Sequence, residues 1–300
     1  MQLPTHWTDY ELLATGDGDK LERWGDFILR RPDPQIIWPL SQPHPRWKSP
    51  DARYHRSNEG GGSWDMKKKL PEEWIVKYRD LTFAVKTMGF KHTGLFPEQA
   101  VNWDWMSEKI QSRVNSQSTI DHRPSTTPLN VLNLFAYTGG ATVACAKAGA
   151  EVCHVDAAKN MVTRAKHNAE LSGLAKHPIR YITDDVFKFV EREIRRGRKY
   201  DGIIMDPPSY GRGPKGEIWK VEEQLFDLIK LCAQVFSEKP LFFLVNSYTT
   251  GFSATVVENL LRLNLKKFKG EVSCDELGLP ETGSGIILPC GISARWTAQA

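Results

Sequence analysis

Apolar and polar positions along the chain follow two regimes, and the change comes near residue 128. From Leu129 onward, short apolar runs at 129–135, 151–155, 179–183, 200–205 and 241–246 read as strands. They interleave with helical patterns at 139–148, 158–172, 186–196, 219–236 and 253–264, and a last pair of strands at 269–276 and 285–295 has no helix between them. This alternation predicts an α/β fold: a doubly wound, mostly parallel seven-stranded sheet with helices on both faces and an antiparallel hairpin at its edge. Earlier in the chain, Tyr10–Ala14, Leu21–Trp24 and Phe27–Arg31 are short runs separated by glycine-containing turns, which predicts a small β-rich N-terminal domain. Pro71–Asp80 predicts a short helix, Leu81–Met88 a strand and Asn102–Val114 a helix, and the Ser/Thr-rich segment 115–127 reads as a linker. The expected division is a cap over 1–98, helix and linker over 99–127, and a ligand-binding domain over 128–300.

Composition narrows the function classes only modestly. The 300 residues are 40% hydrophobic, enough to bury a sizeable core. The net charge of +4 permits a polyanionic partner without requiring one. Five cysteines form no C-x-x-C pair and no zinc-like cluster with histidine, so free thiols and no metal are expected. No run approaches 18 apolar residues and the N-terminus has no leader pattern, so no membrane contact and a cytoplasmic location are expected. The stretch 45–70 carries Arg46, Lys48, Arg53, Arg56 and Lys67–Lys69 with Trp47, Tyr54 and Trp64 interleaved and Gly60–Gly62 as a hinge. Such a mixture suits phosphates and unpaired bases of RNA, and equally a solvated surface loop.

The candidate chemistry lies at the strand ends. The first strand runs into Thr138-Gly139-Gly140 and a helix, an arrangement that brings backbone close to a nucleotide-type ligand at a helix N-terminus. The third glycine of the dinucleotide fingerprint is missing, which disfavours a nicotinamide dehydrogenase. Asp156 ends the second strand where a carboxylate can accept both hydroxyls of a ribose, its bland alternative being a helix cap. Asp184-Asp185 ends the third strand; Asp185 is the better candidate for an adenine amine, again with a helix cap as the alternative. Asp206-Pro207-Pro208-Ser209-Tyr210 ends the fourth. Two prolines remove two N–H donors and leave acceptors, which suits an NH2 group: Asp206 and a proline carbonyl would orient an aromatic amine, and Tyr210 could stack on its base.

Asn133-Leu134-Phe135-Ala136-Tyr137-Thr138-Gly139-Gly140, Asp156, Asp184-Asp185-Val186-Phe187 and Asp206-Pro207-Pro208-Ser209-Tyr210, in this order, resemble the class I S-adenosylmethionine-dependent methyltransferases. The resemblance is to the branch that modifies bases of large-subunit ribosomal RNA, and His92–Gln99 is similar to the segment preceding the fold in that branch. The resemblance implies S-adenosyl-L-methionine as cofactor. Its methionine part would lie at Asn133, Phe135, Ala136, Tyr137, Thr138, Gly139 and Gly140, with Gln99 adding to the site. Asp156 with Ala157 would take the ribose, Asp185 with Val186 the adenine, and Asp206, Pro207, Pro208 and Tyr210 the target face. Cytosine-C5 members of that branch need a cysteine nucleophile, whereas the fourth and fifth strand ends here read Asp206-Pro207-Pro208-Ser209 and Asn246-Ser247-Tyr248-Thr249. The expectation is therefore transfer to a base nitrogen of ribosomal RNA. Methylation of a protein side chain or small molecule, or a silent RNA-binding module, are the rivals. Arg192, Arg195, Arg196, Arg198, Lys199, Arg212, Lys215 and Lys220 are candidate phosphate holders, or a solvated face.

Overall fold

The computed structural model describes residues 1–57, 61–121, 128–212, 216, 218–249 and 251–299. Gly60, Lys215 and most of the linker's second half fall outside the described residues. The chain divides into two compact units.

The first unit comprises 1–101 and 277–290. Its main sheet is β1 (Tyr10–Gly16), β2 (Asp19–Trp24), β3 (Phe27–Pro32), β4 (Ala52–Arg56) and β5 (Gly62–Met66), in that order. The pairs are antiparallel except β3–β4, which is parallel. A separate ribbon pairs β6 (Trp74–Tyr78) with β7 (Leu81–Val85). The expected helix over Pro71–Asp80 is therefore a strand. Trp74, Val76 and Tyr78 point inward while Ile75 and Lys77 face water, and this period of two outweighs the helix-like Pro-Glu-Glu start. The fully buried Glu22 accepts from Arg31 Nε (2.6 Å), Arg31 Nη2 (2.7 Å) and Tyr10 Oη (2.9 Å). Burial pushes its carboxyl up, but the charges of Arg31 and Lys20 and these hydrogen bonds prevail and hold it at about 2.

The second unit comprises 102–276 and 291–300. Helix α1 (Ala100–Asp121) precedes the alternating elements and continues into what reads as linker. There follow β8 (Asn130–Leu134), α2 (Gly140–Lys147), β9 (Glu151–Asp156), α3 (Lys159–Leu171), β10 (Ile179–Thr183), α4 (Val186–Arg195) and β11 (Gly202–Met205). After a short hairpin of β12 (Tyr210–Arg212) and β13 (Ile218–Lys220) come α5 (Val221–Cys232), β14 (Phe242–Ser247), α6 (Ala254–Leu265), β15 (Gly270–Pro280) and β16 (Ile287–Ala298). The seven strands lie in the order β10-β9-β8-β11-β14-β16-β15, with β16 antiparallel to β14 and the pairs from β10 to β14 parallel. The central strands β11 and β14 are buried along their whole length, as a sheet covered on both faces requires. Residues 277–290, read from sequence as part of the domain 128–300, cluster with the first unit.

Candidate active site

The strand order reverses between β8 and β11, because β8 leads outward through β9 to β10 while β11 leads to β14. In a doubly wound sheet the crevice outside the carboxyl ends of the strands at this reversal receives the ligand. Phe135–Gly140 follow β8, Asp156 and Ala157 close β9, Asp185 and Val186 open α4 after β10, and Asp206–Tyr210 follow β11. Gln99 belongs to the first unit, as the buried last residue of the turn Pro97–Gln99.

The turn after β8 has left-handed backbone at every second residue: φ is +53° at Phe135, +49° at Tyr137 and +85° at Gly139. For the two aromatic residues this conformation costs on the order of 1 kcal/mol each, a strain characteristic of binding loops. Alternating handedness curves the backbone into a concavity of the type that receives polar groups. It also aims the Tyr137 N–H at Asp156 Oδ2 (2.8 Å). The glycines serve packing as well as ligand approach. A Cβ on Gly139 would stand 2.8 Å from the Ala165 Cβ of α3, and one on Gly140 2.7 Å from Trp103 Cζ2 of α1. Asn168, buried on α3, donates to the Thr138 carbonyl (2.8 Å) and fixes the turn from below.

Asp156 does not cap α3, whose N-cap is Ala158. Its Oδ1 accepts from Ala158 N (2.8 Å) and its Oδ2 from Tyr137 N. Each oxygen keeps a further lone pair, so the carboxylate is oriented and can still accept two hydroxyls. Burial pushes its pKa up and the two backbone hydrogen bonds pull it down, with burial prevailing. Asp184 is engaged by Arg192 and by the Asp185 N–H. Asp185 is the N-cap of α4, accepting from Lys188 N (3.1 Å) through Oδ1. One carboxylate oxygen thus serves the helix, which leaves Oδ2 for a second partner.

After β11, Pro207 is buried and Pro208, Ser209 and Tyr210 are exposed. Trp219 Nε1 donates to the Pro208 carbonyl (2.6 Å), Val221 N to the Ser209 carbonyl (3.1 Å), and Ser209 Oγ pairs with Thr249 Oγ1 beyond β14 (2.7 Å). The Trp219 ring packs on Phe135 at 5.0 Å and on Phe187 at 6.2 Å between centroids. No motif in the sequence marks Trp219 or Thr249. Their signal is only three-dimensional, since both lie outside the loop segment they hold.

Two buried networks were equally silent in the sequence. Asn133 Nδ2 donates to Thr142 Oγ1 (2.9 Å), which also lies 2.9 Å from His154 Nδ1. Burial holds the His154 ring neutral, at a pKa of about 3. In the second network, Asn102 donates to Asn246 (3.0 Å) near the end of β14 and accepts from Ser293 and Arg295.

The expected phosphate holders are largely engaged. Arg192 pairs with Asp184, Arg196 with Glu193 (3.0 Å), Lys220 with Glu223 (2.7 Å), and Lys199 donates to the Gln234 carbonyl (2.8 Å). The Arg212 side chain and Lys215 lie outside the described residues. In the first unit, Trp47 and Tyr54 are buried, which withdraws those aromatic faces from any base. Arg46 pairs with Asp51 and Arg53 with Asp19. Lys67, Lys68, Lys69 and Lys86 line an open cleft together with Glu72.

A family model described as S-adenosylmethionine-dependent methyltransferase matches residues 45–225, more than half of the chain. The chain belongs to that family. S-adenosylmethionine is its cofactor. The alternating left-handed turn and the anchored Asp156 carboxylate fit a nucleoside joined to an amino acid. A solved S-adenosylmethionine-dependent methyltransferase from Agrobacterium tumefaciens is 35% identical, with a TM-score of 0.91 over 99% of this chain and 93% of that one. Ribosomal RNA large subunit methyltransferase I of Tolumonas auensis is 43% identical over 47% of this chain and 32% of its own length. The enzyme of the same name from Aeromonas hydrophila is 43% identical over 27% of this chain and 20% of its length. The methyltransferase thus spans only a fifth to a third of these curated relatives. Among the described residues, no group of three or more His, Cys, Asp or Glu side chains is placed to hold a metal, and no helix is long and apolar enough to cross a membrane.

Proposed function

We propose that this methyltransferase transfers a methyl group to a base nitrogen of large-subunit ribosomal RNA in the cytoplasm. The observation that carries the reading is the acceptor loop Asp206-Pro207-Pro208, which follows β11 beside the point where the strand order reverses. The segments after β11 and β14 hold no cysteine. Cys232 is buried at the end of α5 and burial pushes its thiol up, while Cys145 and Cys153 are buried in α2 and β9. Attack by sulfur on a pyrimidine ring therefore lacks a nucleophile at this edge. The names of the curated relatives support RNA as the substrate class.

S-adenosylmethionine, when bound, supplies an electrophilic methyl on a positively charged sulfur. The protein's part is to bind, orient and desolvate. Asn133 and Phe135–Gly140 would receive the amino-acid part, Asp156 with Ala157 the ribose hydroxyls, and Asp185 with Val186 the adenine. Asp206 would accept one hydrogen of the target amine and a loop carbonyl the other, turning the nitrogen lone pair toward the methyl. As the nitrogen gains charge in the transfer, the Asp206 carboxylate stabilises it and can take the released proton. Since the Pro208 carbonyl already accepts from Trp219, the Pro207 carbonyl is the better partner. Tyr210, half exposed on β12, would stack on the base. The lysine cleft of the first unit would hold the RNA backbone.

The test is incubation of the purified protein with methyl-labelled S-adenosylmethionine and total RNA, followed by nuclease digestion and identification of the labelled nucleoside. An N-methylated purine is expected. Labelled 5-methylcytosine would refute transfer to nitrogen, and label found in protein or small molecules would refute RNA as the substrate.

A further inference from the structure

We propose that Trp219 is a positioning residue that couples cofactor binding to the set of the acceptor loop. At Pro207 and Pro208 the loop offers no N–H donor. Those two residues can be held only through their carbonyls, and Trp219 Nε1 holds that of Pro208 at 2.6 Å. The same side chain rests its ring on Phe135 and Phe187. Phe135 is the left-handed first residue of the turn after β8, and Phe187 stands in the first turn of α4. One indole therefore touches segments from three strand ends: the methionine side, the adenine side and the target side.

The hairpin fixes where that indole stands. Trp219 lies on β13 opposite Gly211 of β12, and the hairpin returns to α5 through the bond from Val221 N to the Ser209 carbonyl. Ligand that settles the turn at Phe135–Gly140 settles the Phe135 ring, and the Trp219 ring resting on it carries the order to the Pro208 carbonyl. Trp219 also belongs to the buried core of its unit. A purely structural role would therefore cost stability on substitution without linking cofactor to loop.

This inference rests on the placement of the cofactor at residues 135–140, and the experiment separates the two. Amide exchange read by mass spectrometry, with and without S-adenosylhomocysteine, needs no methyl acceptor. In the unmutated protein the ligand is expected to slow exchange over both 135–143 and 209–212. Trp219→Phe keeps an aromatic ring and removes the N–H. Its ligand-dependent protection over 135–143 should persist, while that over 209–212 falls about fivefold, the scale of one net hydrogen bond. Trp219→Leu, lacking the ring as well, should lose the coupling completely, and S-adenosylhomocysteine affinity should stay within about twofold in Trp219→Phe. Unchanged protection of 209–212 in Trp219→Phe would overturn the coupling alone, as would a parallel loss over both segments. Absence of ligand protection over 135–143 in the unmutated protein would overturn the cofactor placement and the coupling together.

Discussion

Replacing Gly139 by alanine separates two demands that the turn after β8 makes on one residue. The first is conformational: at φ +85° an alanine is strained by about 1–2 kcal/mol. The second is steric, because the new Cβ would stand 2.8 Å from Ala165 Cβ and 3.1 Å from Ala165 Cα. Overpacking of that kind costs about 1–3 kcal/mol, and the Ala165 side that must yield is partly helix backbone. Gly139→Ala should therefore lose about 2–5 kcal/mol of stability. Two other glycines calibrate the sum. Gly173 has φ +78° with nothing within 4 Å of where a Cβ would stand, so its alanine variant should lose only the conformational part, about 1–2 kcal/mol. Gly140 lacks the positive φ but would place a Cβ 2.7 Å from Trp103 Cζ2, so its variant should lose only the packing part, about 1–3 kcal/mol. Urea unfolding of the three variants measures the series, and calorimetric titration with S-adenosylhomocysteine should show affinity lost in Gly139→Ala and kept in Gly173→Ala. If Gly139→Ala is no less stable than Gly173→Ala, α3 gives way freely and the packing argument is wrong.

Asp156→Asn presents an amide N–H2 to one of the two backbone donors now bound by the carboxylate, so it should lower S-adenosylhomocysteine affinity at least about tenfold. Calorimetry checks this, and an unchanged affinity would remove Asp156 from the ribose site. Glu22 is held at about 2 against an ordinary value of 4.5, so its contribution is complete above pH 4.5 and is lost as pH falls toward 2. On the order of 3 kcal/mol should disappear across that window. Melting temperature against pH should fall more steeply there in the unmutated protein than in Glu22→Gln, and parallel slopes would contradict it. Substituting Lys67, Lys69 and Lys86 together by glutamine should reduce the salt dependence of RNA binding by about 0.7 per lysine and leave S-adenosylhomocysteine affinity alone. An unchanged salt slope would take the cleft out of RNA contact.

What could be read in the sequence was whatever periodicity or local chemistry encodes. The buried runs of β8, β9, β11 and β14 declare themselves because both faces are covered, and the turn and proline loop declare themselves because glycine and proline act locally. Pro71–Asp80 misleads because its acidic start imitates a helix N-terminus while Trp74, Val76 and Tyr78 keep a strand's alternation. Trp47 and Tyr54 look like aromatic faces for bases, yet the first unit, with a small interior, needs them for its core. The supporting contacts lay out of reach. Asn168 under Thr138, Thr142 between Asn133 and His154, and Trp219 on Pro208 each join residues from separate elements, and no local pattern marks such pairs.

The first unit is closed by a segment about 175 residues further along the chain. Gly278 N donates to the Gln2 carbonyl (3.0 Å), Thr282 N to the Leu12 carbonyl (2.9 Å), and Thr15 Oγ1 to Glu281 Oε2 (2.5 Å). During synthesis at about 5–20 residues per second, residues 1–101 emerge roughly 10 to 35 seconds before residues 277–290 reach them. Over that interval the edge of β1 waits for its partner while most of the second unit is made. The unit begun first therefore cannot be completed until residues 102–276 of the second have been made, and its completion reports that β15 has been made.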